Sequence, residues 1–323
     1  MRGVGAMNDD DLLRFDGQVA LITGAGRGLG RAHALLLASR GCKIVVNDVS
    51  CANDVVAEII AAGGAAVANS DSVEDGARVV AAVLKAYGHI DILVNNAGVL
   101  TPETWADMTP AAWQRTLAVN LTAVYGITQA AWPAMVRAKF GRVIMVASPS
   151  IFGAGVAAYA ASKAGLIGLS ASLTFEATKL KVDIGINTVI PQASTQMTST
   201  FAKQVNEKRV QEGKRLLPEV PAELRQLMAP ANTSAMVAFL AHRSCTHRAT
   251  IHEAGAGYFA QLRWARSAPL FATAREGIQG PPLPEHVRDG SATLADFEGG
   301  DTPPSGDGSM GGPNALERVM SHL

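Results

Sequence analysis

Tyr159 and Lys163, in the run Tyr159-Ala160-Ala161-Ser162-Lys163, pair a phenol with an ammonium four residues apart. On a helix that spacing puts both groups on one face. A phenol titrates at about pH 10 in water and carries protons poorly near neutrality. An adjacent cation favours the phenolate and draws its titration toward the working range, so the pair is an acid/base device. The same spacing also occurs where a lysine stem merely lies along an aromatic ring. The surroundings must decide between the two.

A second constellation is Thr23-Gly24-Ala25-Gly26-Arg27-Gly28-Leu29-Gly30, set between the apolar run 19–23 and a helical run starting at Arg31. Glycines there let the backbone turn sharply and approach a pyrophosphate, which then sits at the positive end of the helix. Gly24, Gly28 and Gly30 form GxxxGxG, with Arg27 and Leu29 between them, and the commoner GxGxxG register fails. Without a ligand such a loop is only a tight turn; the strand, loop and helix order is what the binding reading requires. Eighteen residues after Gly30 the second strand ends in Asn47-Asp48. A carboxylate at that place bonds both ribose hydroxyls of an adenosine and repels a 2′-phosphate. Arg27 pulls the other way, because a guanidinium in the loop could reach a 2′-phosphate. Asp48 weighs more, since its position is the one that meets the ribose, and NAD is the expected cofactor.

These groups need a scaffold. Short β-branched runs alternate with longer Ala- and Leu-rich segments, the pattern of βαβ units. Strands are expected at 19–23, 43–48, 65–70, 90–95, 142–148 and 183–190, with a last one near 249–253. Helices are expected from Arg31, Val55, Gly76, Ala111, Tyr159 and Thr233. The strands are nearly continuous apolar runs, so both faces must be covered. The fold class is α/β, a doubly wound parallel β-sheet, with its ligand beyond the carboxyl ends of the strands.

With 323 residues, 28 basic and 28 acidic, the chain carries no net charge, and no basic stripe is interleaved with aromatics. That argues against nucleic acid and anionic membranes as partners and for a small-molecule substrate. Cys42, Cys51 and Cys245 are an odd, scattered set without metal-pair spacing, which fits a reducing cytoplasm. No run of 18 apolar residues or signal-type segment occurs, so no membrane insertion is expected. His242, His247 and His252 step by five residues with no carboxylate spaced to complete a site, so no metal is expected.

Thr23-Gly24 with Gly28 and Gly30, Asp71 after the third strand, Asn95-Asn96-Ala97-Gly98 after the fourth, then Asn120, Ser148, Tyr159 and Lys163 together resemble the motif series of the short-chain dehydrogenase/reductases, from about Phe15 to Tyr258. The resemblance implies a Rossmann fold in one catalytic domain, 15–258, preceded by an arm, 1–14, and followed by an extension, 259–323. It implies that Tyr159 moves the alcohol proton while hydride passes between substrate carbon and nicotinamide. Lys163 would lower the Tyr159 pKa and bond the nicotinamide ribose. Ser148 would bond the substrate oxygen, with Ser150 close enough to compete, and Asn120 would order a water linking Lys163 to solvent. Asp71, Ser72, Asn96, Ala97, Gly98 and Pro191 would join the glycine loop and Asp48 around the cofactor.

Two departures bear on the site. Ten residues lie between Ser148 and Tyr159, a shorter run than most members carry, and Pro149 fixes φ directly after the serine. Gln192 follows Pro191 where many members have glycine. A narrower resemblance, in 21–48, 68–76, 253–258 and 262–264, is to the 3-hydroxyacyl-CoA dehydrogenase domain of peroxisomal multifunctional enzymes and their bacterial single-domain relatives, which implies an acyl-CoA or steroid-like substrate. Segment 195–221 reads as a mobile helical lid. Its Met197, Phe201, Leu216 and Leu217 could line a cleft, and its Lys203, Lys208, Arg209, Lys214 and Arg215 could meet CoA phosphates or simply form a solvated face. The residues 298–314 read as a linker and 315–323 as a short helix. Family resemblance further implies a homodimer or homotetramer formed through the helices bearing Asn120 and Tyr159. Three functions stay open: an NAD-dependent secondary-alcohol dehydrogenase, an NADPH-dependent 3-oxoacyl reductase, and a non-catalytic nucleotide sensor.

Overall fold

Val19–Thr23 is buried at every position, as a strand covered on both faces must be. It is the pivot of the sheet. In a computed structural model that describes residues 12–101, 103–153, 155–265 and 267, eight strands lie in the order β3-β2-β1-β4-β5-β6-β7-β8. They are β1 (Val19–Thr23), β2 (Lys43–Asn47), β3 (Ala65–Asn69), β4 (Ile92–Asn95), β5 (Phe140–Val146), β6 (Asp183–Gln192), β7 (Ile251–Gly255) and β8 (Tyr258–Leu262). The pairs from β3 through β7 are all parallel, with β1 flanked by β2 and β4. Strand order therefore reverses between β1 and β4, and the crevice beyond their carboxyl ends is where such sheets hold ligands.

Helices α1 (Gly28–Ser39), α2 (Ala52–Ala61), α3 (Gly76–Tyr87), α4 (Pro110–Leu117), α5 (Ala123–Ala138), α6 (Ala157–Leu180), α7 (Gln196–Gln211), α8 (Ala222–Leu227) and α9 (Pro230–Ala241) supply the crossovers. Two apolar cores result. One joins Ile22, Ile44 and Val46 to Leu37 of α1, Ile59 of α2 and Val237 and Leu240 of α9. The other joins Leu21, Val45 and Leu93 to Val79 of α3, Ile127 of α5 and Leu166 of α6. Alternate strand residues feed opposite cores, as the two-residue period demands. The architecture is the expected doubly wound α/β sandwich.

Local boundaries differ from those read off the sequence. β5 begins at Phe140 and β6 runs on through Gln192, because their neighbours extend the ladder. β7 begins at Ile251, since Ala249 takes a left-handed φ of 53° and leaves the strand path. β8 was not foreseen and runs across the expected boundary at 258; the two-residue turn Ala256 (φ 48°) and Gly257 (φ 85°) joins it to β7 as a hairpin. Within the expected lid, 195–221, α7 is the helical part, and α8 begins directly after it. The chain divides into two units, 1–261 and 262–323, and the site belongs to the first. The arm up to residue 11, the linker 298–314 and the helix 315–323 lie outside the described residues.

Candidate active site

At the switch point, Thr23 stitches β1 to β4: its hydroxyl accepts from the Asn96 and Ala97 amides at 3.0 Å each and donates to the Val94 carbonyl. The Asn96 amide returns two bonds, to the Thr23 and Gly24 carbonyls, at 2.9 and 3.0 Å. The glycine loop is thereby pressed against the β4 end. A Cβ on Gly24, which has φ 61°, would come within 2.8 Å of Ala97 Cα, and one on Gly30 within 2.4 Å of the Gly24 carbonyl oxygen. These glycines serve close approach as much as turning. Helix α1 then starts at Gly28 with no side chain capping it and no acidic residue in its first turn. Its first amides are left for an anion, at the positive end of the helix dipole.

Asp48 stands at the far side of this loop. Its Oδ2 accepts from the Gly26 amide at 3.1 Å, and its Oδ1 from the Ser50 amide and hydroxyl at 3.0 and 2.9 Å and the Cys51 amide. Burial opposes its ionisation, but the bonds from Ser50, Cys51 and Gly26 outweigh it and hold the carboxyl below the usual range. Asp48 is a fixed anion. Arg27, in the same loop, donates to Gln196 Oε1 at 3.1 Å.

Tyr159 and Lys163 sit in the first turns of α6. Lys163 is buried, and its ammonium donates to the Val146 carbonyl at 2.8 Å while standing 5.7 Å from the Tyr159 ring centre. Burial pulls the Lys163 pKa down to about 8. Burial also pushes the Tyr159 phenol above its ordinary value, while a hydrogen bond from the Ser148 side chain pulls it back. The sequence reading expected the neighbouring ammonium to lower the phenol. In the structure desolvation dominates, and the group that offsets it is Ser148.

The shortened loop does place Ser148 against Tyr159. Ser148 caps the short 3-10 turn Pro149–Phe152, accepting from the Ser150 amide at 3.2 Å, and Pro149 occupies the first position of that turn, where its missing N–H costs nothing. Ser150 is buried. Asn120 lies in a π-helical turn, Ala118–Thr122, inserted between α4 and α5. Its Oδ1 accepts from the Val99 amide at 2.8 Å, and its Nδ2 donates to the Val99 carbonyl and to Ser162 Oγ at 2.9 and 3.2 Å. Ser162 in turn donates to the Tyr159 carbonyl. Both amide hydrogens are thus committed, and the side chain ties the β4 loop to α6. A Cβ on Gly98 would stand 3.3 Å from Asn120 Oδ1 and 3.5 Å from Lys163 Nζ, which marks how closely the three converge.

A cleft of 410 Å³ joins these groups. Of the residues singled out in sequence, Gly24, Arg27, Gly28, Leu29, Asp48, Asn96, Ala97, Gly98, Tyr159, Lys163 and Pro191 line it. Gly30, Asn120 and Ser148 are not among the lining residues; Ser148 reaches the cleft through its hydrogen bond to Tyr159. Asp71 and Ser72 also lie outside it; the Asp71 carboxylate pairs with Arg78 and accepts from Asn69. The sequence reading missed Val99, Leu100, Val146 and Ala147 as lining residues, and it marked segment 195–221 without naming Gln196, Thr200 and Gln204, which complete the wall with Thr195, Met197 and Phe201. Positions 197, 200, 201 and 204 are one helix face, a spacing that was legible had α7 been placed.

The lid cations do not converge on the cleft. Lys208 pairs with Asp107, Lys203 with Glu207 and Lys214 with Glu212, while Arg209 donates to the Arg215 carbonyl. His247 and His252, set apart in sequence, are stacked with ring nitrogens 3.1 Å apart, and burial with the His247 charge pulls His252 down to about 4. No carboxylate joins them, and no cluster of three metal-ligating side chains occurs among the described residues.

The short chain dehydrogenase model matches residues 18–208. The peroxisomal multifunctional enzyme type 2 of Mus musculus is 39% identical over 313 residues, covering 93% of this chain and 40% of that protein. The full-length peroxisomal multifunctional enzyme type 2 of Drosophila melanogaster superposes with a TM-score of 0.74 at 31% identity, over 96% of this chain and 49% of that one. The chain thus spans less than half the length of either multifunctional enzyme. A 7α-hydroxysteroid dehydrogenase complexed with NADH and 7-oxo glycochenodeoxycholic acid superposes with a TM-score of 0.66 at 27% identity, over 78% of this chain and 98% of that one. The chain belongs to the short chain dehydrogenase family, oxidoreductases that act on CH–OH groups with NAD(P).

Proposed function

We propose that this protein is an NAD-dependent dehydrogenase of secondary alcohols whose substrate has a bulky apolar body, a 3-hydroxyacyl-CoA or a steroid-related alcohol. One observation carries the reading: a single cleft has the uncapped start of α1 and the fixed Asp48 anion at one end, and Tyr159 backed by Ser148 and Lys163 at the other.

The residues fit a dinucleotide. The amides of Gly28 and Leu29 would hold the pyrophosphate, Asp48 the adenosine ribose, and Lys163 with Asn96, Ala97 and Gly98 the nicotinamide half. When bound, the nicotinamide accepts or supplies the hydride. Tyr159 Oη holds the proton that the alcohol oxygen loses or gains, and the Ser148 hydroxyl orients that oxygen against it. Lys163, a cation close by, keeps a transient phenolate bearable. Because burial raises the phenol's pKa, Tyr159 is protonated at neutral pH. It is then ready to give a proton to a ketone, while alcohol oxidation gains as pH rises.

Met197 and Phe201 of α7, with Val99 and Leu100, offer the substrate an apolar wall. The acid partners of Lys203, Lys208 and Lys214 favour recognition of the apolar body over recognition of CoA phosphates by the lid. Exposed Tyr125 on α5 and Phe175 and Leu180 on α6 support a homo-oligomer formed through those helices. The catalytic unit is taken as 15–258, with the lid at 195–221. Three free thiols favour a reducing compartment, read here as the cytoplasm; no helix among the described residues is long and apolar enough to cross a membrane.

The test is NADH production across a series of 3-hydroxyacyl-CoA chain lengths and hydroxysteroids. Turnover of at least one class with NAD is expected. NADPH bound at least tenfold more tightly than NADH would instead favour a 3-oxoacyl reductase and contradict the role given to Asp48.

A further inference from the structure

Among the described residues that line the cleft, Arg27 is the one cation besides Lys163. It precedes Gly28 at the start of α1, where a guanidinium can serve a 2′-phosphate. The structure gives it another partner. Its Nη1 donates to Gln196 Oε1 at 3.1 Å, across 169 residues of sequence. Gln196 is the first residue of α7, and the turn that presents it is fixed by a reciprocal capping box between Thr195 and Thr198. The same turn lies over the glycine loop: a Cβ on Gly28 would stand 3.8 Å from the Thr195 side chain. Gln196 itself lines the cleft.

We propose that Gln196 is a selectivity residue for the nucleotide: by holding the Arg27 guanidinium against the lid, it leaves Asp48 to decide between NAD and NADP. This deepens the cofactor reading above and rests on it. Gln196 Oε1 takes up one Nη1 N–H and anchors the guanidinium to the first turn of α7, so a 2′-phosphate meets an Arg27 whose reach is already restricted and whose donors are partly committed. Removing the acceptor frees Arg27 without altering Asp48 or the amides of the glycine loop.

The experiment is nucleotide binding, read by quenching of protein fluorescence or by calorimetry, in the unmodified chain, Gln196→Leu, Arg27→Ala and the double variant. Leucine keeps the bulk of the side chain and removes its oxygen. Gln196→Leu is expected to raise the NADPH to NADH affinity ratio about threefold to tenfold, the effect of one surface hydrogen bond to a charged donor. The double variant is expected to lose that gain. A NADPH to NADH affinity ratio that stays within twofold in Gln196→Leu overturns the inference while leaving the cofactor reading intact. Failure of the unmodified protein to bind either nucleotide overturns the cofactor reading and the inference together. A gain that persists in the double variant shows that Arg27 is not the group released and also overturns the inference.

Discussion

Lys163 Nζ donates a 2.8 Å hydrogen bond to the carbonyl of Val146, the last residue of β5. A cation is therefore held beneath the cleft by a single carbonyl, in a position where burial already pulls its pKa to about 8. The sign follows from that depression. The unfolded chain takes up the proton below about pH 10.5 and the folded chain only below about 8, so stability declines as pH falls through that window, and at neutral pH the full cost of the buried cation is present. The cost is about 3 kcal/mol. Lys163→Met removes it but orphans the Val146 carbonyl, which costs about 1–3 kcal/mol. The variant is expected to be as stable at pH 7 as the parent, or more stable by up to about 2 kcal/mol, while turnover falls at least about a hundredfold. Denaturant unfolding beside a rate assay checks both; a marked loss of stability with activity retained would contradict the assignment.

Asn120 makes three side-chain hydrogen bonds in a fully buried place, two to Val99 and one to Ser162. Asn120→Ala leaves those groups without partners and is expected to cost about 2–4 kcal/mol. Because the bonds join the β4 loop to α6, nucleotide affinity should fall with stability. Thermal unfolding with and without NADH distinguishes this from a purely chemical role, which would lower turnover and leave the apo melting temperature in place.

Two buried histidines set the acid limit. Burial pushes His33, whose Nδ1 meets Ser234 Oγ at 2.8 Å, down to about 3, and His252 to about 4. Both stay neutral in the folded chain while the unfolded chain protonates them below about pH 6.5. Stability present above that pH is lost as pH falls toward 4, with a slope approaching about 1.4 kcal/mol per pH unit for each histidine. Urea midpoints between pH 7 and 4.5 check this, and His252→Gln should remove one proton's share of the slope. An unchanged slope in that variant would show that His252 is not held neutral.

Much of this was legible in the chain, and the reasons are physical. β1, β2 and β4 are short apolar runs because both faces are covered, so composition alone marks them. The glycine loop was legible because Gly24 and Gly30 leave no room for a Cβ. β8 was not, since its residues are largely exposed and resemble a surface loop. The π turn at Asn120 was hidden too: an inserted residue is set by the tertiary bonds to Val99 and Ser162, not by local propensity. The upward shift of Tyr159 depends on desolvation, which i and i+4 spacing does not reveal. Gln196 escaped notice because its partner Arg27 lies 169 residues away.

The central claim is that Tyr159 carries the proton in a hydride-transfer reaction. Its most direct test is the rate of NADH formation by Tyr159→Phe, with a substrate that the parent turns over and with NADH affinity measured on the same sample. The expected result is a loss of about 10²–10⁴-fold in turnover with NADH affinity within a few-fold of the parent. Turnover within tenfold of the parent would contradict it.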